Sequence, residues 1–414
     1  MAAWILSLLL SLLSMAAALP ASGQPASATH AKDTPACPSN PPEVHHFTPP
    51  LHTCGTLILD ANDHLVRLIS LQLGGFGKGD ADPKTPDVCG HWTGVRPYAA
   101  ADVASWGFNS VELMISWQNL EPTPPTTSAD GTVTHYWAKD FLQRLDEVIK
   151  EFTDQGVAVV LMMYQSRWST AFQNLRWGNK SQACGQGMPR WLYPAGGGLS
   201  AMIQAELDFF HNVNDVQAGF VQAWKMVAAR YRDDPLVVGA VPLTEAYDIL
   251  AVQFPGTESL RPKDFRLSAF YTRVGKAIHA ANPNLLVIFW DQKSTFTKLY
   301  AVVHKPKIPN EVYGSEFYGS SWLPKGKERL SGYDQRAAGW NLPFTLGEFT
   351  MFGETLGLGN PYPNWQQNTT AVFDYAKQTH IGWGICCYGT GSFMTESNDR
   401  VPKPGILPLM KAGF

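Results

Sequence analysis

Glu245 and Glu348 are the residues whose type and setting most clearly invite chemistry. Each closes an apolar run: Leu236-Val-Val-Gly-Ala-Val-Pro-Leu-Thr-Glu-Ala-Tyr-Asp248 for the first, Leu342-Pro-Phe-Thr-Leu-Gly-Glu348-Phe for the second. A strand buried on both faces reads as a continuous apolar stretch, and the residue at its carboxyl end is delivered to the mouth of the sheet. Two carboxyl groups on one rim can hydrolyse a glycosidic bond. One attacks the anomeric carbon and the other gives a proton and takes one back, with the pair about 5–5.5 Å apart when configuration is retained. A single strand-end glutamate is more often a surface charge or an ion-pair partner; two of them in one chain favour chemistry.

Such a rim needs a frame, and the chain alternates strand and helix patterns throughout. Thr56 to Asp60 and His64 to Gln72 flank the turn residues Ala61-Asn-Asp63 and read as a hairpin whose second strand enters the first of eight parallel strands. The others are expected over 109–116, 157–164, 236–244, 285–290, 311–318, 342–349 and 381–388. Helices are expected over 99–105, 138–155, 218–232, 263–281, 330–339, 365–379 and 405–411. Residues 138–155 carry Phe141, Leu142, Leu145, Val148, Ile149 and Phe152 at helical spacing and stop at Gly156. The stretch from Gln165 to Asp215, rich in glycine and tryptophan, reads as one long loop over the mouth. The fold class expected is α/β, a (β/α)8 TIM barrel with an N-terminal β-hairpin, in one domain over 51–414. Glu245 then ends strand four and Glu348 strand seven.

The chain has 414 residues, 45% of them hydrophobic, with a net charge of −3. Little field is available to hold nucleic acid or an anionic membrane, so neutral partners fit best. The 14 Trp, 14 Tyr and 21 Phe suit a cleft that stacks sugar rings, and equally a large core. Trp4 to Ala18 is too short to span a bilayer and is followed by small residues, the pattern of a secretory signal peptide over 1–23; the Pro, Ala and Ser content of 24–50 reads as an arm. A secreted, extracellular monomer without a membrane span is expected. In an exported chain Cys37, Cys54, Cys89, Cys184, Cys386 and Cys387 are disulfide candidates with the pairing open, the adjacent Cys386 and Cys387 being readable as buried thiols. Asn179-Lys-Ser and Asn368-Thr-Thr are glycosylation acceptors. No metal-ligand spacing is present, and neither metal nor cofactor is expected.

Several stretches resemble glycoside hydrolase family 5, the cellulase-like clan A barrels. They are Thr56-Leu-Ile-Leu-Asp with His64-Leu-Val-Arg-Leu, Trp106-Gly-Phe-Asn-Ser-Val, Ile115-Ser-Trp-Gln-Asn-Leu-Glu-Pro122, Phe141-Leu-Gln-Arg-Leu-Asp-Glu-Val-Ile with Gln155-Gly-Val-Ala-Val-Val-Leu, and Leu346-Gly-Glu-Phe349. The likeness covers about 56–412 and implies a retaining β-glycosidase that cuts within a chain, with Glu348 the nucleophile and Glu245 the acid/base.

The chain departs from the family around those glutamates. Thr244 replaces the asparagine before the acid/base, Glu112 replaces the second-strand arginine, Tyr164 falls at the third-strand histidine, and the sixth-strand His-x-Tyr becomes Glu316-Phe-Tyr318. The expected substrate-binding residues are Thr244, Tyr164, Trp168, Trp290, Glu316, Tyr318, Trp383 and Tyr388, around a β-linked glycan. Up to four carboxyls would crowd the rim, and like charges at short range keep at least one protonated. The same changes also allow a second reading, a non-catalytic carbohydrate-binding protein on a degenerate glycosidase barrel.

Overall fold

The computed structural model describes residues 36–73, 99–165, 168–172, 187–244, 265–291, 302, 304–318, 326–350, 364–388, 394–395, 398–402 and 404–414. The expected signal peptide, Asn179, Glu245, Cys89, Cys184 and much of the expected mouth loop lie outside these residues.

Eight parallel strands close into a barrel. They are β1 Ile69–Leu73, β2 Ser110–Ile115, β3 Ala158–Met163, β4 Val237–Val241, β5 Leu286–Asp291, β6 Glu311–Tyr318, β7 Phe344–Thr350 and β8 Gly382–Tyr388. Each pairs with its sequence neighbour, and β8 returns to β1 through Trp383 opposite Ile69. All eight fall where strands are expected, because strands covered on both faces are mainly apolar.

Alternate residues divide the barrel into two cores. Met114, Ala158, Val160, Met162, Leu286, Ile288 and Val312 fill the interior, closed below by Leu51, Ile58 and Leu68. Leu71, Leu113, Leu161, Val287, Phe289, Leu346 and Ile385 face the helices. The helix Lys139–Thr153 buries Phe141, Leu142, Leu145, Val148, Ile149 and Phe152, the six residues of its predicted stripe. Gly156, at φ +72°, follows it in the left-handed region that glycine enters without strain.

Four expectations change. Within the supposed loop from Gln165 to Asp215, Leu199–Phe210 is a helix, entered from Gly198 and burying Met202, Ala205, Phe209 and Phe210. Its glycine-rich lead-in hides an ordinary apolar stripe. The N-terminal hairpin is present, Leu57–Leu59 pairing antiparallel with Leu65–Val66 within a four-stranded sheet that also holds His52–Cys54, but its second strand ends at Val66 and β1 begins separately. Glu43–Val44, inside the expected arm, pairs with Leu65–Val66 and so belongs to the folded base. Cys386 is no buried thiol: Cys37, Cys54 and Cys386 are all disulfide-bonded.

Candidate active site

The site grows from a fault in the strand pairing. Leu346 and Phe349 of β7 both pack in the outer layer although they are three residues apart, and the pairing with β8 skips between them. Such a bulge re-aims a side chain, here turning Glu348 to the interior. Glu348 is 2% exposed. Its Oε2 accepts a 2.8 Å hydrogen bond from Nε2 of Gln72, at the carboxyl end of β1. That amide nitrogen also lies 3.6 Å from Sδ of Met162.

Glu112 on β2 stands opposite Gln72 in register and is 4% exposed. The room for its carboxyl comes from Gly384 on β8. A Cβ at Gly384 would stand 2.9 Å from each Glu112 oxygen and 2.6 Å from the carbonyl oxygen of Gly347. Burial first, and the charge of Glu348 second, push the Glu112 carboxyl well above the ordinary value of 4.5, while a hydrogen bond with Gln72 pulls the other way. Its Oε2 has no hydrogen-bond partner. Glu316, on the neighbouring β6, pairs in register with Glu348 across a second irregularity. Glu112 and Glu348 thus interact across the mouth, and Glu316 stands beside Glu348 on the next strand.

On the β4 side Thr244 is buried, its backbone N–H donating to the Met163 carbonyl over 3.1 Å. Its own carbonyl accepts from Nε2 of Gln165, just beyond β3. Among the described residues, the Thr244 hydroxyl and Oε1 of Gln165 are buried without hydrogen-bond partners, an arrangement a polar ligand would complete. Glu245 follows Thr244 directly in the chain.

Trp290 and Tyr164 belong to the interior core. The Trp290 indole lies where side chains are missing: a Cβ at Gly347 would meet it at 2.6 Å and one at Gly314 at 2.8 Å. The ring therefore lies against the residue preceding Glu348, and its buried Nε1 has no partner. Tyr318 closes β6, its side chain outside the described residues.

Three expected binding aromatics are placed elsewhere. Trp383 is fully buried in the outer layer, packed on Phe108, Phe373 and Phe414, because its position on β8 alternates away from Gly384. Tyr388 shares that layer with Trp106. Trp168 is buried between Phe209 and Phe210 and donates its Nε1–H to the Tyr193 hydroxyl. Gln72 and Gln165 were not expected in the site, yet a glutamine closing an otherwise apolar strand, as in Ile-Ser-Leu-Gln-Leu73, is a legible signal.

The fold is shared with solved structures. An endogalactoceramidase superposes with a TM-score of 0.60 at 22% identity, covering 81% of this chain and 74% of that one. Endo-glycoceramidase II from Rhodococcus sp. gives 0.62 at 17%, with 85% and 80% covered. The cellulose synthase subunit Z of Clostridioides difficile gives 0.52 at 15%, with 83% and 99% covered. No curated protein matches the chain by sequence. The family model for cellulase, glycosyl hydrolase family 5, matches residues 78–392 and takes in every barrel strand but the first. With the barrel closed and a buried glutamate turned inward at the seventh strand, the chain belongs to glycosyl hydrolase family 5.

Proposed function

We propose that the chain is a secreted, retaining glycoside hydrolase that cuts within β-linked oligo- or polysaccharides by double displacement. The observation that carries the reading is Glu348, buried at the end of β7 and oriented by the Gln72 amide. In the first step a Glu348 oxygen bonds to the anomeric carbon as the glycosidic C–O bond breaks, and the departing oxygen takes the proton of Glu245. In the second, Glu245 takes a proton from water, the water oxygen bonds to the anomeric carbon, and Glu348 leaves as carboxylate. Trp290 lies against Gly347, next to Glu348 in the chain, and Thr244 and Gln165 meet just beyond the ends of β4 and β3. The apolar segment Trp4 to Ala18 and the disulfide-bonded cysteines support export.

The test is Glu348→Gln and Glu245→Gln, assayed for β-glycan cleavage across pH on cellulose, mannan, mixed-linkage glucan and glycolipid glycans. The last belong on the panel because glycoceramidases are among the proteins of similar fold. Both variants are expected to keep the fold and lose turnover by about a thousandfold or more. Unchanged turnover in both refutes the assignment. Binding without cleavage by the wild-type protein at any pH favours the non-catalytic reading, which the exchange of the second-strand arginine for Glu112 supports.

A further inference from the structure

A nucleophilic carboxylate buried in a barrel is ordinarily steadied by a positive charge, and this site is built without one on β2. Among the described residues, those set beside Glu348 include Gln72, Glu112 and Glu316. The Glu112 carboxyl fills the space that Gly384 leaves open, with both oxygens 2.9 Å from where a Gly384 Cβ would lie. It shares the Gln72 amide group with Glu348, and its Oε2 has no partner. Two buried carboxylates joined through one amide cannot both ionise cheaply, so the pair is expected to hold one proton between them.

Resting on the hydrolase reading, we propose that Glu112 is a positioning residue for Glu348: as a neutral acid in the place of a cation, it fixes Gln72 and lets Glu348 alone carry the charge. The direction of the Glu112 shift agrees, burial and the charge of Glu348 both favouring its protonated form. The site then has a built-in alkaline limit, because losing the Glu112 proton puts a second negative charge beside the nucleophile.

The experiment pairs 13C-NMR titration of glutamate-labelled protein with rates on an aryl β-glycoside whose leaving group departs without proton donation. Those rates report on the surroundings of Glu348 and not on the general acid. In the wild-type protein one carboxyl resonance, missing from Glu112→Gln, is expected to titrate well above the ordinary glutamate range. Glu112→Gln is expected to keep roughly a third or more of kcat and to shift the alkaline loss upward. Glu112→Ala is expected to lose about a hundredfold in kcat with KM little changed, the scale of a misplaced reacting group. A Glu112 resonance titrating in the ordinary range, or a Glu112→Gln profile superimposable on wild type, overturns the proposal. A wild-type rate that survives Glu348→Gln overturns the nucleophile assignment instead, and the proposal falls with it.

Discussion

Gln72 and Glu348 lie 276 residues apart in sequence and are joined by a 2.8 Å hydrogen bond across the barrel mouth. The bond spans β1 and β7, with β8 between them in the sheet. It ties the orientation of the candidate nucleophile to closure of the barrel. A loosened seam between β8 and β1 would move the Gln72 amide and with it the aim of the Glu348 carboxylate.

Gln72→Leu should therefore cost both stability and rate. It keeps the volume but leaves Glu348 without its amide donor and takes a hydrogen bond from Glu112. Removing a donor from a buried charged acceptor costs about 1–3 kcal/mol. The expected result is a drop of that size in denaturant unfolding free energy, and a kcat lower by roughly ten- to a hundredfold with the barrel intact by circular dichroism. An unchanged kcat in a folded variant would show that the bond is incidental.

Gly347→Ala should disturb the site through Trp290. The added Cβ would sit 2.6 Å from the indole, closer than real contacts permit, and the same ring also lies over Gly314 on the neighbouring strand. Overpacking a filled core typically costs about 1–3 kcal/mol. A lower melting temperature and a weaker rate are expected together, with partial recovery of both in Gly347→Ala combined with Trp290→Phe. If the second substitution adds its own loss in full, the two residues are not coupled.

Trp383 gives the opposite kind of prediction, since a residue expected to bind sugar lies behind the barrel wall. Stacked between Phe373 and Phe414 with no exposed surface, it belongs to the outer core. Trp383→Ala should lose about 3–5 kcal/mol of stability. Trp383→Phe should retain KM for every substrate the wild type accepts. A selective rise in KM in the stable Phe variant would return Trp383 to the binding site.

The contrast between Trp383 and Glu348 shows what a sequence can disclose. Strands are legible because burial on both faces removes polar residues from whole runs, and the six-residue stripe of Lys139–Thr153 is legible because helical period and burial coincide. Which face a strand residue takes is set by alternation, and alternation is reset at every bulge. Glu348 points inward because of the skip between Leu346 and Phe349, and nothing in Leu346-Gly-Glu-Phe349 announces that skip except the glycine. Trp383 points outward by the plain alternation of β8, which an aromatic near a strand end does not reveal. The helix Leu199–Phe210 was hidden differently, by the glycines that precede it.

Glu112 gives a stability prediction that needs no substrate. Its carboxyl is pushed well above the ordinary value of 4.5 by burial and by Glu348, so the folded chain holds a proton at pH values where the unfolded chain has released it. More protons bound in the folded state means that stability falls as pH rises. The Glu112 contribution is fully present below the unfolded value and is lost progressively as pH climbs through the raised folded one. Glu112→Gln has no proton to lose. Its melting temperature should follow that of the wild type with a constant offset in acid, then gain on it steadily from about pH 4.5 toward alkaline pH. Calorimetry of the two proteins across that window measures the difference directly. A gap that stays flat would mean that Glu112 ionises alike in both states, and a gap that closes with rising pH would mean that the folded protein prefers the charged form. Either outcome contradicts a neutral Glu112 beside Glu348, whatever glycan the enzyme cuts.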